Sequence, residues 1–358
     1  MKQFPKLFIP GPTFVPDEVL SKMSNPQIGH RTEEMSNLIS SIVSGIQKLL
    51  YTKNHIYLTS HPATGLWELG AKNSTNKKIL HIVNGAFSSK WALSSKLLGV
   101  EYEILEYDWG DSLDIDEVDN ILSKGNIDVI AMVHNETSTG ALTNLNPISD
   151  LLSRKYPDII WLVDAVSSMA GVKIEVDRLG IDFVFSSTQK AWGLPAGFSV
   201  CSISKKMIEK SKIIKNKGYF LNVEIYEKYY SKMQTPFTPS IPHMYGLKYI
   251  LDLIHSEGLE ARWNNHIEMA NYVRNWAYSH SQELFPRPHC LSETITCIKN
   301  VQKWDIERIN RELLELGYRM DRGYGKLRGE AFRISHMGNI TLNDIKEYLS
   351  NFDEVINA

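Results

Sequence analysis

The chain has 358 residues, a length that suggests two or three domains or lobes. Its composition, 43% hydrophobic and 22% charged residues, is typical of a soluble globular protein. A formal net charge of -2 gives no reason to expect nucleic acid or an anionic membrane as a partner. The three cysteines are too few and too widely spaced for a disulfide framework or a zinc site, so we expect a reducing, cytoplasmic environment and no metal.

The predicted elements begin after an extended, proline-rich arm that ends at Pro16 and lacks the uninterrupted apolar core of a signal peptide. No apolar run along the chain reaches the length of a membrane span. Short, almost continuous apolar runs are typical of strands buried on both faces, and they occur at 55–59, 78–83, 101–105, 128–133, 159–163 and 181–185. Helical segments are predicted from residue 66, over 87–98, and at about 114–123 and 145–155. This alternation predicts an α/β fold with a mostly parallel sheet covered by helices.

The pattern changes near residue 240. Two long helical stretches run to about residue 281 and are separated near Gly258. A smaller α+β region follows, with strands at 294–298 and 331–334, a helix at 306–316 and a final helix from residue 342. We therefore predict an N-terminal arm (1–16), a large domain (17–250) and a small C-terminal domain (251–358), on which the arm could pack.

Four polar segments lie at the ends of predicted strands, where open α/β sheets bind their ligands. Asp164 ends one apolar run, and Lys190 follows another. Residues 134–140 form a polar cluster after a third run. Residues 60–65 join a fourth to a helix whose N-terminus could bind an anion.

A lysine, a carboxylate, hydroxyls and an anion site on one sheet edge are the groups that pyridoxal phosphate (PLP) needs. The lysine forms an imine, the carboxylate keeps the pyridine nitrogen protonated and backbone amides hold the phosphate. Taken singly, Lys190 could be a solvated loop residue, Asp164 a turn or cap residue and the hydroxyls ordinary turn residues. Their order and placement together favour a PLP site.

These segments resemble those of class V (fold-type I) PLP aminotransferases, the group with alanine–glyoxylate, serine–pyruvate and phosphoserine aminotransferases. The most specific similarities are Glu-Thr-Ser-Thr-Gly at 136–140, Val-Asp-Ala-Val-Ser-Ser at 163–168 and Ser-Ser-Thr-Gln-Lys at 186–190, in the family's order. The resemblance extends from Pro-Gly-Pro-Thr at 10–13 to residues 332–338.

The resemblance implies that Lys190 is the Schiff-base lysine and the base that moves the substrate's α-proton, and that Asp164 pairs with the pyridinium nitrogen. Phe87 would stack over the cofactor ring, although a phenylalanine there could also be a plain core residue. The remaining implied cofactor contacts are Val166 beneath the ring, Thr137 at the phenolic oxygen, and Ala63, Thr64, Gly65 and Gln189 at the phosphate.

Substrate contacts are implied for four further residues. Arg333 matches the arginine that receives the substrate α-carboxylate through a bidentate pair, where a surface ion pair would be the ordinary alternative. His30 and Arg31 resemble a substrate-side pair that could also be a helix-entry pair. Together with His336 they could meet a second anion.

The segment 234–240 resembles a loop that reaches the cofactor phosphate of a neighbouring subunit through Thr235 and Ser240, which implies a homodimer with shared sites. Two departures from the family pattern affect the phosphate contacts. Pro62 removes one backbone donor from the phosphate cup, and Phe237 stands where relatives carry a phosphate-bonding tyrosine.

The expected reaction is a ping-pong transfer of the amino group of serine or alanine to glyoxylate or pyruvate. The alternatives are phosphoserine with 2-oxoglutarate, a PLP-dependent lyase or desulfurase, and a non-catalytic protein of the same fold. Gln189, where a desulfurase usually has histidine, and Cys297 in a strand-like run argue against a desulfurase. The sequence has neither His-Glu-x-x-His nor Gly-x-Gly-x-x-Gly, which argues against a zinc hydrolase and a nicotinamide dehydrogenase.

Overall fold

A computed structural model describes residues 4–357. The strands are β1 (Lys6–Leu7), β2 (His55–Thr59), β3 (Ile79–Val83), β4 (Tyr102–Glu106), β5 (Val129–Val133), β6 (Asn135–Glu136), β7 (Ala141–Leu142), β8 (Ile160–Asp164), β9 (Phe183–Ser187), β10 (Ser199–Ile203), β11 (Glu283–Leu284), β12 (Ile295–Lys299), β13 (Tyr318–Arg319) and β14 (Ala331–Ser335). The helices are α1 (Asp17–Met23), α2 (Glu33–Leu49), α3 (Thr64–Ser74), α4 (Ala86–Leu97), α5 (Ile115–Leu122), α6 (Asn146–Lys155), α7 (Val176–Leu179), α8 (Lys205–Ile213), α9 (Val223–Tyr230), α10 (Ile241–Glu257), α11 (Leu259–Ser279), α12 (Ile306–Glu315) and α13 (Leu342–Asn357).

The centre of the fold is a seven-stranded sheet with the order β2-β10-β9-β8-β5-β3-β4. Strand β10 is antiparallel to β2 and β9, whereas β9, β8, β5, β3 and β4 pair in parallel. The predicted mostly parallel α/β sheet is therefore confirmed. The carboxyl ends of β5, β8 and β9 meet at one edge, and this edge carries the polar segments singled out above.

Apolar side chains alternate between the two faces of this sheet, as the period of two requires. In β5, Ile130 and Met132 belong to the larger core layer, while Val129, Ala131 and Val133 belong to the opposite layer. Both layers are closed by helices, with α2 and α10 over the first and α3, α4 and α8 over the second. Because the strands are buried on both faces, their sequences read as continuous apolar runs.

A second, antiparallel sheet of β11, β12 and β14 lies in the C-terminal part and packs with α11, α12 and α13. The N-terminal arm joins this part, because β1 pairs in parallel with β13. Phe8 is fully buried there, and its ring stacks on Tyr348 with a centroid distance of 4.0 Å. The arm then runs to the edge of the central sheet and forms one wall of the cavity described next.

Among residues 4–357, no helix combines the length and the hydrophobicity needed to cross a membrane.

Candidate active site

A cavity of about 320 Å³ lies at the carboxyl ends of β5, β8 and β9. Its walls come from the arm, the start of α3, the start of α4 and the segment after β9. Eight of the residues predicted to contact a cofactor line it: Ala63, Thr64, Phe87, Thr137, Asp164, Val166, Gln189 and Lys190. Gly65 lies one position further along α3, and its backbone N–H donates to the Pro62 carbonyl at 3.0 Å.

Asp164 is the last residue of β8 and is almost fully buried, so its carboxylate depends on hydrogen bonds from the protein. The Val166 backbone N–H donates to Oδ1 at 2.9 Å, and the Trp67 indole N–H donates to Oδ2 at 2.7 Å. Burial raises the pKa of Asp164 to about 6, although both hydrogen bonds favour the charged form and limit the rise.

Trp67 is a site residue that the sequence did not reveal. It lies on α3, where an apolar aromatic is an ordinary core residue, and it packs in the second core layer. Only the three-dimensional fold brings its indole nitrogen to the Asp164 carboxylate. Trp67 therefore fixes the direction of this carboxylate towards the cavity.

We expect Trp67→Phe to raise the pKa of Asp164 above about 6, because the hydrogen bond that favours the carboxylate is lost. A hydrogen bond to a charged group corresponds to a rise of about one pH unit or more. The measurement is an NMR titration of labelled aspartate carboxyl carbons. Trp91→Phe is the matched control, since the Trp91 indole stacks on Trp67 but its nitrogen has no partner within residues 4–357. Equal titration midpoints in wild type and Trp67→Phe would contradict the assignment.

Lys190 follows β9 and is 9% exposed. Its Nζ donates to the Pro10 carbonyl of the arm and lies 6.0 Å from the centre of the Phe87 ring. Burial and, to a smaller extent, the positive charge of Arg333 lower the pKa of Lys190 to about 8. A larger share of the amine is therefore neutral near pH 7 than for an exposed lysine.

Glycine at position 11 suits both the backbone conformation of the arm and its close approach to Lys190. A Cβ on Gly11 would lie 2.8 Å from the Lys190 Nζ, and the φ of +130° is also unfavourable for other residues. The sequence singled out residues 10–13 only as part of a resemblance. The structure gives Gly11 a physical role, which is to let the arm pass over the lysine.

The loop before α3 has the features of an anion-binding site. The backbone N–H groups of Ala63 and Thr64 make no hydrogen bond to any other described residue, and both residues line the cavity. Free N–H groups at the start of a helix favour a phosphate. Pro62 also lines this wall but has no N–H to contribute.

Glu136 positions the aromatic wall of the cavity. It is fully buried, and its Oε2 accepts hydrogen bonds from the backbone N–H groups of Phe87 at 3.1 Å and Ser88 at 3.0 Å. A carboxylate at this place stabilises the start of α4 through the positive end of the helix dipole. A Cβ on Gly85 would lie 2.3 Å from the Glu136 Cγ, so position 85 must be glycine for this contact to form.

Arg333 lies on β14 and lines a second cavity of about 560 Å³ that also reaches Lys190, Phe87 and Thr137. The guanidinium is almost fully buried and forms a bidentate pair with Asp321, with Nε–Oδ1 and Nη2–Oδ2 distances of 2.7 Å. The predicted substrate arginine and the predicted lysine are therefore brought to one continuous space.

Five other predicted residues lie outside both cavities of this chain. His336 is fully buried, its Nε2 is 3.0 Å from the Thr296 hydroxyl, and it lines neither cavity. The Arg31 guanidinium donates to the carbonyls of Thr235 at 2.6 Å and Pro236 at 3.1 Å. Apart from Gly65, the predicted residues outside the cavities are His30, Arg31, Thr235, Ser240 and His336.

Within residues 4–357, no cluster of His, Cys, Asp and Glu side chains could hold a metal ion.

Comparison with known proteins gives a consistent result. The sequence model of the Aminotransferase class-V family matches residues 7–316. The chain is 35% identical over 339 residues to an uncharacterized aminotransferase of Methanocaldococcus jannaschii, covering 93% of this chain and 87% of that protein. It is 31% identical over 348 residues to a serine–glyoxylate aminotransferase of Arabidopsis thaliana, covering 93% and 86%. The crystal structure of alanine–glyoxylate aminotransferase from Nostoc sp. superposes with a TM-score of 0.92 at 25% identity, covering 99% of this chain and 96% of that one.

The chain therefore belongs to the class-V aminotransferase family. Its fold is that of the fold-type I PLP aminotransferases, and it is an enzyme of the transaminase type.

Proposed function

We propose that this enzyme uses PLP to transfer the amino group of a small amino acid, serine or alanine, to glyoxylate or pyruvate by a ping-pong mechanism. The observation that carries the proposal is the presence of Lys190 and Asp164 in one cavity of about 320 Å³. The names of relatives, which include serine–glyoxylate and L-aspartate–glyoxylate aminotransferases, support glyoxylate as an acceptor.

The residues of the cavity fit PLP. The unused N–H groups of Ala63 and Thr64 would hold the phosphate, and the Asp164 carboxylate would pair with the pyridinium nitrogen. Lys190 would form the covalent link, and Phe87 would cover one face of the ring. When bound, the cofactor supplies the electron sink that stabilises the charge left when the α-proton is removed.

Lys190 performs the proton transfer in this proposal. A substrate amine would displace Lys190 from its covalent link to the cofactor. The neutral Lys190 amine then takes the proton from the substrate Cα. Its pKa of about 8 favours this role, because a lysine with an ordinary pKa would hold its own proton more firmly at neutral pH. The arm, whose Pro10 carbonyl accepts a hydrogen bond from Nζ, restricts the directions in which the amine can move.

A specific observation favours the alternative of an acidic substrate pair, such as phosphoserine with 2-oxoglutarate. The second cavity is lined by Lys190 and four arginines, with Asp321 as the single acid among its described lining residues. Arg319 is half-buried there and forms no ion pair within residues 4–357, while Arg322 and Arg328 share Glu307. A substrate with a second anionic group would find a positive charge at Arg319.

We also propose that the enzyme is a cytoplasmic homodimer whose active sites include residues of both subunits. An aromatic cluster of Tyr219, Phe220 and Phe237 supports the dimer, since Tyr219 is 74% and Phe220 46% exposed, while Phe237 is half-buried beside them. The ring of Phe220 lies 5.7 Å from that of His61 in the phosphate loop. Sedimentation at micromolar concentration tests the assembly, and a monomeric mass would refute it.

The experiment that tests the activity is the visible absorption spectrum of the PLP-loaded protein during additions of L-serine, L-alanine and phosphoserine. We expect one donor to bleach the visible band and a 2-oxo acid to restore it. Bleaching by phosphoserine alone would favour the acidic alternative. A band that none of the three donors bleaches would refute both proposed donor classes, and the absence of any band would refute the PLP site.

A further inference from the structure

The Arg333 guanidinium has only part of its hydrogen-bonding capacity free. Nε and one hydrogen of Nη2 donate to Asp321, and one hydrogen of Nη1 donates to the Thr137 carbonyl at 2.7 Å. A guanidinium has five N–H donors, so two remain. Because Nε has only one hydrogen, the two free donors are divided between the terminal nitrogens, one on each.

We propose that Asp321 is a positioning residue, which holds Arg333 so that these two free N–H groups receive the α-carboxylate of the substrate. The proposal rests on the proposed aminotransferase function. A carboxylate binds a guanidinium best through two parallel hydrogen bonds from two nitrogens. Asp321 occupies the edge formed by Nε and Nη2, which leaves the terminal edge for the substrate.

Asp321 is itself held firmly, as a positioning residue must be. Its Oδ1 also accepts a hydrogen bond from the Gly323 backbone N–H at 2.9 Å, and its backbone forms a bridge with that of Arg333. The turn depends on glycine, because a Cβ on Gly323 would lie 2.3 Å from the Ala331 carbonyl oxygen. The carboxylate therefore cannot rotate away without breaking three hydrogen bonds.

The same segment connects the arginine to the aromatic wall of the active site. The Tyr324 ring lies 5.3 Å from the Arg333 Cζ and stacks on Phe87 with a centroid distance of 5.1 Å. Asp321 thus holds one edge of the guanidinium, and Tyr324 covers its face. Together they define the plane in which a carboxylate can approach, on the side where Lys190 also lines the cavity.

An opposite interpretation of the pair predicts an opposite result. If Asp321 were a competitor that a substrate carboxylate must displace, its removal would tighten substrate binding. The occupied edge and the two remaining donors argue against displacement, because Nη1 and Nη2 each keep one N–H for the substrate. Loss of Asp321 would leave a buried cation free to pivot, which weakens bidentate binding.

The test compares two ligands on the PLP-loaded protein. 2-Methylalanine has the carboxylate but no α-hydrogen, and ethanolamine has the amine and hydroxyl of serine without the carboxylate. Dissociation constants follow from changes in the visible band. For Asp321→Ala and Asp321→Asn, we expect the dissociation constant of 2-methylalanine and the KM of alanine to rise about tenfold, while the ethanolamine constant and the kcat at saturation stay within about threefold.

Glu312→Gln is the matched control, because it removes a carboxylate from an ion pair with Arg308, and neither residue lines the cavity. It should leave both dissociation constants unchanged. Asp321→Asn keeps the side-chain volume and serves if the alanine variant loses its visible band. Unchanged or tighter binding of 2-methylalanine in the variants would overturn the proposal, as would equal weakening of both ligands. Failure of the wild-type protein to respond to any donor would instead refute the aminotransferase function itself.

Discussion

Lys190→Ala is expected to lose the visible band of the bound cofactor and to lower kcat by about 10²–10⁴-fold, the contribution of a positioned general base. In the proposed function, the Lys190 amine is the nucleophile and the proton carrier, and no other lysine among residues 4–357 lines its cavity. Two roles are therefore removed at once. The measurements are the absorption spectrum after loading with PLP and the rate with the donor that bleaches the wild-type band.

Lys217→Ala is a matched control for the removal of a buried lysine. Lys190 and Lys217 are both 9% exposed, but Lys217 pairs with Glu224 and does not line the cavity. The control variant should lose some stability, because the buried Ser211 carbonyl loses its hydrogen bond from Lys217, and should keep both the band and the rate. A Lys190→Ala protein with an intact band and rate would contradict the assignment of the nucleophile.

Addition of an external primary amine provides a further check on Lys190. A small amine that enters the cavity of the alanine variant can act as a base in solution. We expect partial recovery of the rate, proportional to the amine concentration. Such recovery would show that the missing group is the base and that the rest of the cavity is intact.

The placement of Asp164 and Lys190 at one sheet edge could be predicted because a buried parallel strand has a recognisable sequence pattern. Strands β8 and β9 are buried on both faces, so each is a run of apolar residues that ends where the polar chemistry begins. Parallel strands present their carboxyl ends at the same edge. A residue that ends such a run is thereby located without knowledge of the strand order.

Strand boundaries were less accurate where apolar residues continue beyond a strand. The predicted strand at 181–185 is observed as Phe183–Ser187, because Ile181 is buried in the core without belonging to the sheet. Strand β10 was not predicted at all. Its sequence, Ser-Val-Cys-Ser-Ile, contains two serines that are buried by its neighbours β2 and β9, and such burial has no local signal.

The contacts that tune the site lie beyond sequence reasoning for a different reason. Trp67 and Asp321 read as a core aromatic and a turn residue, which are their commonest roles. Their partners, Asp164 and Arg333, are reached only through the packing of a helix on the sheet and a turn on a strand. The role of a single residue can be predicted from its place at the end of a strand. A hydrogen bond between two distant residues can be predicted only when the positions of both in the folded structure are known.

The residues near a possible second anion also differ between prediction and structure. His336 follows Arg333 by three positions, yet it is enclosed between β12 and the helices, because the chain leaves the strand after Ser335. Arg319 was not predicted, although it lines the second cavity. Its neighbours Tyr318 and Met320 point into the small core, so the alternation along β13 directs Arg319 to the opposite side.

Asp164→Asn is the substitution with the second largest expected effect, a fall in kcat of about 10²–10³-fold, as for other preorganised electrostatic contacts. Asparagine keeps the volume, but it is neutral, and its amide NH₂ would face either the Trp67 indole N–H or the Val166 N–H, both of which donate to the carboxylate. Lys190 is untouched, so the visible band should persist. Asp164 has a pKa of about 6, so it is protonated below that pH and the affinity for PLP falls there. Above that pH, Asp164 is charged and the affinity no longer changes with its titration.

The variant should therefore lose the part of the pH dependence of PLP affinity that is centred near pH 6, which a titration of the band at several pH values measures. Asp182→Asn is the matched control, since Asp182 and Asp164 are both 3% exposed and Asp182 accepts hydrogen bonds from Ser204 and Trp161 outside the cavity. The control should lower stability without changing the PLP affinity or its pH dependence. An Asp164→Asn enzyme with wild-type kcat and an unchanged midpoint would mean that the carboxylate does not face the cofactor, and the orientation of the ring in this cavity would have to be reversed.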